Sequence, residues 1–214
     1  MATAKGRRKA ARADAPTRLL EAALSLAALQ GWDDTGMAEV AAEAEVPLAE
    51  ARGHFASKAA LLAAFVARID QAMLASGAEE LGDEPVRDRL FDVIMRRFDA
   101  MAPYKDGIAA ILRDLSRDPA ALACFAAGPA RRSLDWMLAA AGAPSWGPLQ
   151  PLQRKGLGLI FANALRTWLR DDSPDLAKTM AAVDRGLARA DSMLRLLPRG
   201  RRPAAGETAD AAES

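Results

Sequence analysis

Residues 41–62 read "AAEAEVPLAEARGHFASKAALL". The stretch has the rhythm of a short helix, a tight turn and a second short helix, with Ser57 placed to cap a longer apolar run behind it. Pro47 stands at the first turn of the second helix, where a missing N–H costs nothing. This is the arrangement that lays a helix in the DNA major groove. The same stretch is acidic, however, and DNA is a polyanion. From Leu19 to Leu62 seven acids (Glu21, Asp33, Asp34, Glu39, Glu43, Glu45 and Glu50) stand against Arg52 and Lys58. Phosphate neutralisation supplies most non-specific affinity, so such a module begins at a disadvantage.

The rest of the 214-residue chain sets the context. Alanine makes up close to a quarter of it, and strand-favouring residues are sparse, so helix is expected nearly everywhere. The formal net charge is only +1, and no global field advertises a nucleic-acid partner. A single cysteine, Cys124, excludes an internal disulfide framework, fits a reducing cytoplasm and reads as a small buried hydrophobe. There is no secretory leader and no apolar run near the roughly 18 residues needed to span a bilayer. A cytoplasmic address is expected.

Gly and Pro divide the chain. Residues 1–14 read as a disordered basic arm and residues 198–214 as a disordered tail. Between them the spacing predicts nine helices in an all-α fold, with a helix-turn-helix domain over 15–62 and a helical body over 63–197. The first runs from Ala15 to Gln30, and short helices follow over 37–44 and 48–55. A fourth carries Leu62, Phe65, Val66, Ile69 and Met73 at 3–4 spacing and ends at "SGAEELGDEP". Longer helices are expected over 85–101, 104–115, 119–141, 149–170 and 176–197.

The blocks "LLEAALSLAALQGW", "TGMAEVAAEAEV" and "HFASKAALL", in that order over about fifty residues, resemble the TetR family of bacterial regulators. The resemblance implies a three-helix DNA-binding head on a helical body that dimerises and binds a ligand, with ligand binding altering the separation of the two recognition helices. It also implies Thr35 and Lys58 as phosphate contacts and a second helix whose Leu48, Glu50 and Arg52 face the bases. Glu50 can accept from cytosine N4, and Arg52 prefers guanine. Pro47 and His54 flank that face; His54, the sole histidine, has no metal-ligand set around it. Family members carry a small polar residue at Pro47 and an aromatic at Arg52, so the chain departs from the pattern where DNA contact falls. The arm supplies Arg7, Arg8, Lys9 and Arg12, cations that can follow the backbone or enter a minor groove.

The second half, with "MRRFDAM", "APYK" and "TWLRDDSPDL", resembles the TetR-fold accessory proteins of ubiquinone biosynthesis, which implies an alternative role as a lipid binder with no DNA function. Met95, Phe98, Met101, Ile111, Leu134, Met137, Phe161, Leu165 and Trp168 could line a pocket for a hydrophobic effector or lipid, since Met-rich linings adapt to irregular apolar molecules. Their periodicity also fits a bundle core, and no acid–base cluster for a charged ligand is evident. The last two helices suit a two-fold dimer, through Gly158 and Ala162 beside Leu157, Phe161, Leu165 and Trp168, and through Leu176, Met180, Val183, Leu187 and Leu194. One His, one Cys and one Tyr, with no phosphate loop and no nucleophile elbow, give no basis for an enzyme, and no cofactor or metal site is indicated. The expected function is a repressor bound to a palindromic double-stranded operator.

Overall fold

The computed structural model describes residues 4–76, 84–143 and 150–196, with side chains over 15–76, 84–143 and 150–193. Among the described residues the chain is helical with no strand. The segments are α1 (Ala4–Gln30), α2 (Met37–Glu43), α3 (Leu48–His54), α4 (Lys58–Ala75), α5 (Val86–Met101), α6 (Lys105–Leu115), α7 (Pro119–Phe125), α8 (Arg131–Ala140), α9 (Gln150–Trp168) and α10 (Ala177–Leu196). A π-helical turn over Ala126–Ala130, containing Gly128 and Pro129, joins α7 to α8. Taken as one run, α7 and α8 bring the helices to the nine expected.

One boundary differs. The arm read as irregular over 1–14 is helical backbone from Ala4 onward, continuous with α1. Its Ala, Lys and Arg are good helix formers, and Pro16 removes only one backbone donor within the run. The tail over 198–214 lies outside the described residues.

The turn between α2 and α3 is set by backbone bonds. Val46 N–H donates to the Ala41 carbonyl at 2.9 Å and Glu45 N–H to that of Ala42 at 3.0 Å, a Schellman closure. It requires Glu45 to adopt φ 52°, a left-handed conformation that glycine takes without penalty. The Arg18 guanidinium on α1 donates to the Ala44 carbonyl at 2.8 Å and fixes this corner to the first helix. Val46, Ala51 and Phe55 point inward and hold α3 on the head.

Head and body share one continuous buried core. α4, capped by the Ser57 hydroxyl on Ala60 N–H, runs along α1, α5 and α8. The tightest junction is α1 on α6. Gly107 lies so close to α1 that a Cβ there would stand 2.6 Å from the Leu24 carbonyl oxygen. Seven residues further along α6, the buried carboxylate of Asp114 accepts from Trp32 N–H at 2.7 Å and Asp33 N–H at 3.3 Å, in the turn that follows α1. Arg113 and Arg117 donate to its other oxygen at 3.1 and 3.3 Å. Burial alone would raise the Asp114 pKa; hydrogen bonds from Arg113, Trp32 and Asp33 outweigh it and hold the carboxyl below its ordinary value.

At the other end of the body, α9 and α10 form an antiparallel pair. Gly186 allows close approach, since a Cβ there would meet Ile160 at 2.9 Å. Asp171, buried in the connection, accepts from the Ser173 hydroxyl and from the Thr179 N–H and hydroxyl, so it caps the first turn of α10. The stripes expected to meet a second subunit are largely used within the chain: Leu157, Trp168, Val183 and Leu187 are buried. The apolar side chains left outside are Leu152 and Leu159 on α9 and Met180 and Met193 on α10. Leu194 lies outside the described side chains. Cys124, expected to be buried, is exposed on α7.

Two stability changes follow. Glu45→Gly relieves the left-handed strain and is expected to raise unfolding free energy by about 1 kcal/mol, seen as a higher urea midpoint at unchanged slope. Asp114→Ala leaves the Trp32 N–H buried without its acceptor and is expected to cost about 2 kcal/mol. Because the folded-state pKa of Asp114 is depressed, its contribution is complete above the ordinary carboxyl value of about 4 and is lost as pH falls through the lower folded value. The wild-type acid limb should therefore be steeper than that of the variant, and melting curves across that limb check it.

Candidate nucleic-acid interface and small-molecule cavity

With Val46, Ala51 and Phe55 inside, the residues that α3 turns outward are fixed. Leu48 is 54% exposed, an unusual state for a leucine on a short helix, and Pro47, Ala49, Arg52, Gly53 and His54 are exposed beside it. Arg52 makes only a long 3.5 Å contact from Nη1 to the Ala56 carbonyl. Glu50 is half-buried and lies 4.0 Å from His54 Nε2 on the next turn. A Cβ built on Gly53 would meet nothing within 4 Å, so the backbone of α3 is open to close approach from outside. Pro47, Leu48, Glu50, Arg52 and His54 are thus brought onto or beside one convex surface.

Thr35 and Lys58 are not part of that surface, which corrects the expectation that both contact phosphate. Thr35 is buried and its hydroxyl donates to the Gly31 carbonyl at 2.6 Å. Lys58 folds back over the Trp32 ring, 4.7 Å from its centroid, and its ammonium donates to the Trp32 carbonyl and, at 3.4 Å, to that of Asp33. Burial lowers the Lys58 pKa against the opposing pull of Asp33, Asp114, Asp34 and Glu39. Both side chains hold the turn between α1 and α2. The physical reason is local: the chain leaves the helix here, and the carbonyls of Gly31, Trp32 and Asp33 accept from these two side chains, that of Trp32 also from Thr35 N–H. Arg7, Arg8, Lys9 and Arg12 lie on the helical backbone that leads into the head, and their side chains are outside the described set.

Some of the acids in the head also have internal work. Glu39 reaches back to Gly36 N–H at 2.8 Å and so caps α2, and Glu21 pairs with Arg68 of α4 at 3.1 Å. Asp33, Asp34, Glu43 and Glu45 remain exposed. The negative balance read from the sequence is therefore reduced near α1 and α4 and persists around the α2–α3 corner.

In the body a cavity of about 350 Å³ lies between α4, α5, α6, α7, α8 and α9. Six of the nine side chains expected to line a pocket do so: Met101, Ile111, Leu134, Met137, Phe161 and Leu165. Met95, Phe98 and Trp168 do not, which corrects that part of the expectation. Phe98 stacks between Phe161 and Trp168, with ring centroids 5.4 and 5.5 Å away, and Met95 packs against the core. Of the three stacked rings only Phe161 reaches the cavity; Phe98 and Trp168 are buried behind it. Gly158 and Ala162, expected at a subunit interface, border the cavity instead.

The wall has one polar feature. Arg97 of α5 donates through Nη1 to Asp70 of α4, and the Ser133 hydroxyl of α8 donates to the same Asp70 oxygen at 2.5 Å. All three residues are buried. Burial pushes the Arg97 pKa down from its ordinary value while Asp70 holds it up, and the guanidinium stays charged. No acid–base cluster for a charged ligand was evident in the sequence; the fold brings Asp70 and Arg97 together as a mutually neutralised pair. A signal was present in each helix: Asp70 falls in the apolar stripe of Val66, Ile69 and Met73, and Arg97 in that of Val93, Ile94 and Met101. Each charge on a core face calls for a partner.

Residues 19–65 match the family described as bacterial regulatory proteins, tetR family. No curated protein is similar to the chain in sequence. Among solved structures, a TetR transcriptional regulator from Nitrosomonas europaea superposes with a TM-score of 0.66 at 24% identity, covering 83% of this chain and 98% of that one. A TetR transcriptional regulator from Rhodococcus sp. gives 0.62 at 23% identity, over 90% of this chain and 100% of that one. The head over residues 19–65 thus matches the tetR family model, and the chain as a whole shares the fold of these solved structures.

Proposed function

We propose that the protein is a non-enzymatic, homodimeric transcriptional repressor that binds a palindromic operator and is released by a largely apolar small molecule in the body cavity. The observation that carries this reading is the outward face of α3, where Leu48, Arg52 and His54 are exposed on a TetR-type head. Leu48 suits a thymine methyl, Arg52 a guanine edge and Glu50 a cytosine amino group, while Pro47 and His54 border the backbone. The cations of residues 5–12, in the first turns of α1, offset the acids that remain at the α2–α3 corner.

Coupling between ligand and operator is supported by α6. Ile108, Ile111 and Leu115 of that helix border the cavity, while Gly107 and Asp114 grip α1 and the turn after it. A ligand that displaces α6 displaces the head. The solved structures named above are described as transcriptional regulators, which favours gene control over the quinone-carrier alternative. Dimerisation is assigned to the outer face of the last two helices, where Leu159 is 75% exposed and Leu152 lies two turns away on the same side. The paired heads would then meet half-sites about 34 Å apart.

Gel-shift titration with the DNA upstream of the coding sequence tests the reading. A salt-sensitive complex is expected, and none at micromolar protein with any neighbouring promoter would contradict it. Arg52→Ala should cost about 1–3 kcal/mol of operator affinity and relax one base preference, while removal of residues 1–13 should weaken all sequences and lower the salt slope. Leu159→Arg is expected to sediment as a monomer with operator affinity sharply reduced. Its own fold should change by no more than about 0.5 kcal/mol. A dimer that survives this change would place the interface elsewhere.

A further inference from the structure

The cavity wall carries a charged side chain whose bonding is incomplete. Arg97 has five N–H donors and makes one hydrogen bond, from Nη1 to Asp70, while its buried Nε–H has no protein acceptor. The guanidinium lies over the Phe161 ring at 5.4 Å, and both residues border the cavity. Orphaned donors on a buried charged group are costly, and such groups in native proteins are met by water or by a ligand. The remaining lining is apolar apart from Ser133, whose hydroxyl is already committed to Asp70.

Charge decides what kind of acceptor belongs there. Asp70 already neutralises Arg97, and no other charged residue borders the cavity. A carboxylate ligand would place one uncompensated negative charge in an apolar space, at a large desolvation cost. A neutral oxygen acceptor meets the spare donors without that cost. We infer that the cavity takes an uncharged, mainly aliphatic molecule with a carbonyl-type oxygen (a ketone, ester or lactone), which accepts from Arg97 while its chain lies against the α6, α8 and α9 walls. The inference rests on the reading of this cavity as the effector site.

Competition against a bound neutral dye, phenylnaphthylamine, tests it on the full chain at pH 8 with methyl nonyl ketone, undecane and undecanoate. The ketone is expected to displace the dye at lower concentration than undecanoate. The ratio of ketone to undecane affinity should fall about tenfold in the double variant Arg97→Met with Asp70→Asn, which removes the charges together. Arg97→Lys keeps a cation beside Asp70 but loses the extra donors, and should lower the same ratio if the double variant does not fold. Stronger competition by undecanoate, an unchanged ketone-to-undecane ratio in the variants, or no displacement by the ketone would each overturn the inference. DNA binding is measured in parallel: a protein that takes the ketone through Arg97 but whose DNA complex ignores it supports the ligand chemistry and overturns the effector reading alone.

Discussion

The position of the helix-turn-helix head relative to the body is fixed at the end of α1 by one buried carboxylate. Asp114 and Trp32 are 82 residues apart in the chain, yet the acid accepts from two N–H groups of the turn that follows α1. A buried N–H without an acceptor is costly, so the acid removes a penalty and fixes a direction at once. Gly107 completes the fit by letting α6 touch the backbone of α1. Because α6 also walls the cavity, it joins the body's interior to the end of α1, beside α4, which follows α3 directly and lines the same cavity.

The second constraint is the pair of Asp70 and Arg97. Two opposite charges inside an apolar body contribute little net stability, since their desolvation offsets most of their attraction. Removing either alone is costly, because the other is left unpaired. An arrangement of this kind is better explained by what it recognises than by what it holds together. The stacked rings of Phe161, Phe98 and Trp168 form the solid floor against which that pair is set.

Much of this was readable from the sequence, and for clear reasons. Helical spacing marks which stripe of a helix is buried, so the helical runs, the Ser57 cap and the buried stripe of Leu62, Phe65, Val66, Ile69 and Met73 were accessible from pattern. Periodicity does not say what a buried stripe meets. Leu157, Val183 and Leu187 were expected to face a second subunit and instead pack within the chain, while Leu159, which the spacing did not single out, is exposed. Nor does spacing say where a long side chain turns. Lys58 occupies a position that the family resemblance links to phosphate, but the carbonyls at Trp32 and Asp33 and the face of the Trp32 ring draw it inward. The pairing of Asp70 with Arg97 needed the fold, because each helix showed only an isolated charge on an apolar face.

The account stands on head and body being locked at the end of α1. Hydrogen exchange at the Trp32 and Asp33 amides reads that lock directly in the unmodified protein. Protection comparable with that of the α6 amides is predicted for both, despite their place in a turn. Exchange at the rate of an open loop would show that the carboxylate does not hold the junction, and the proposed path from cavity to α3 would then be lost.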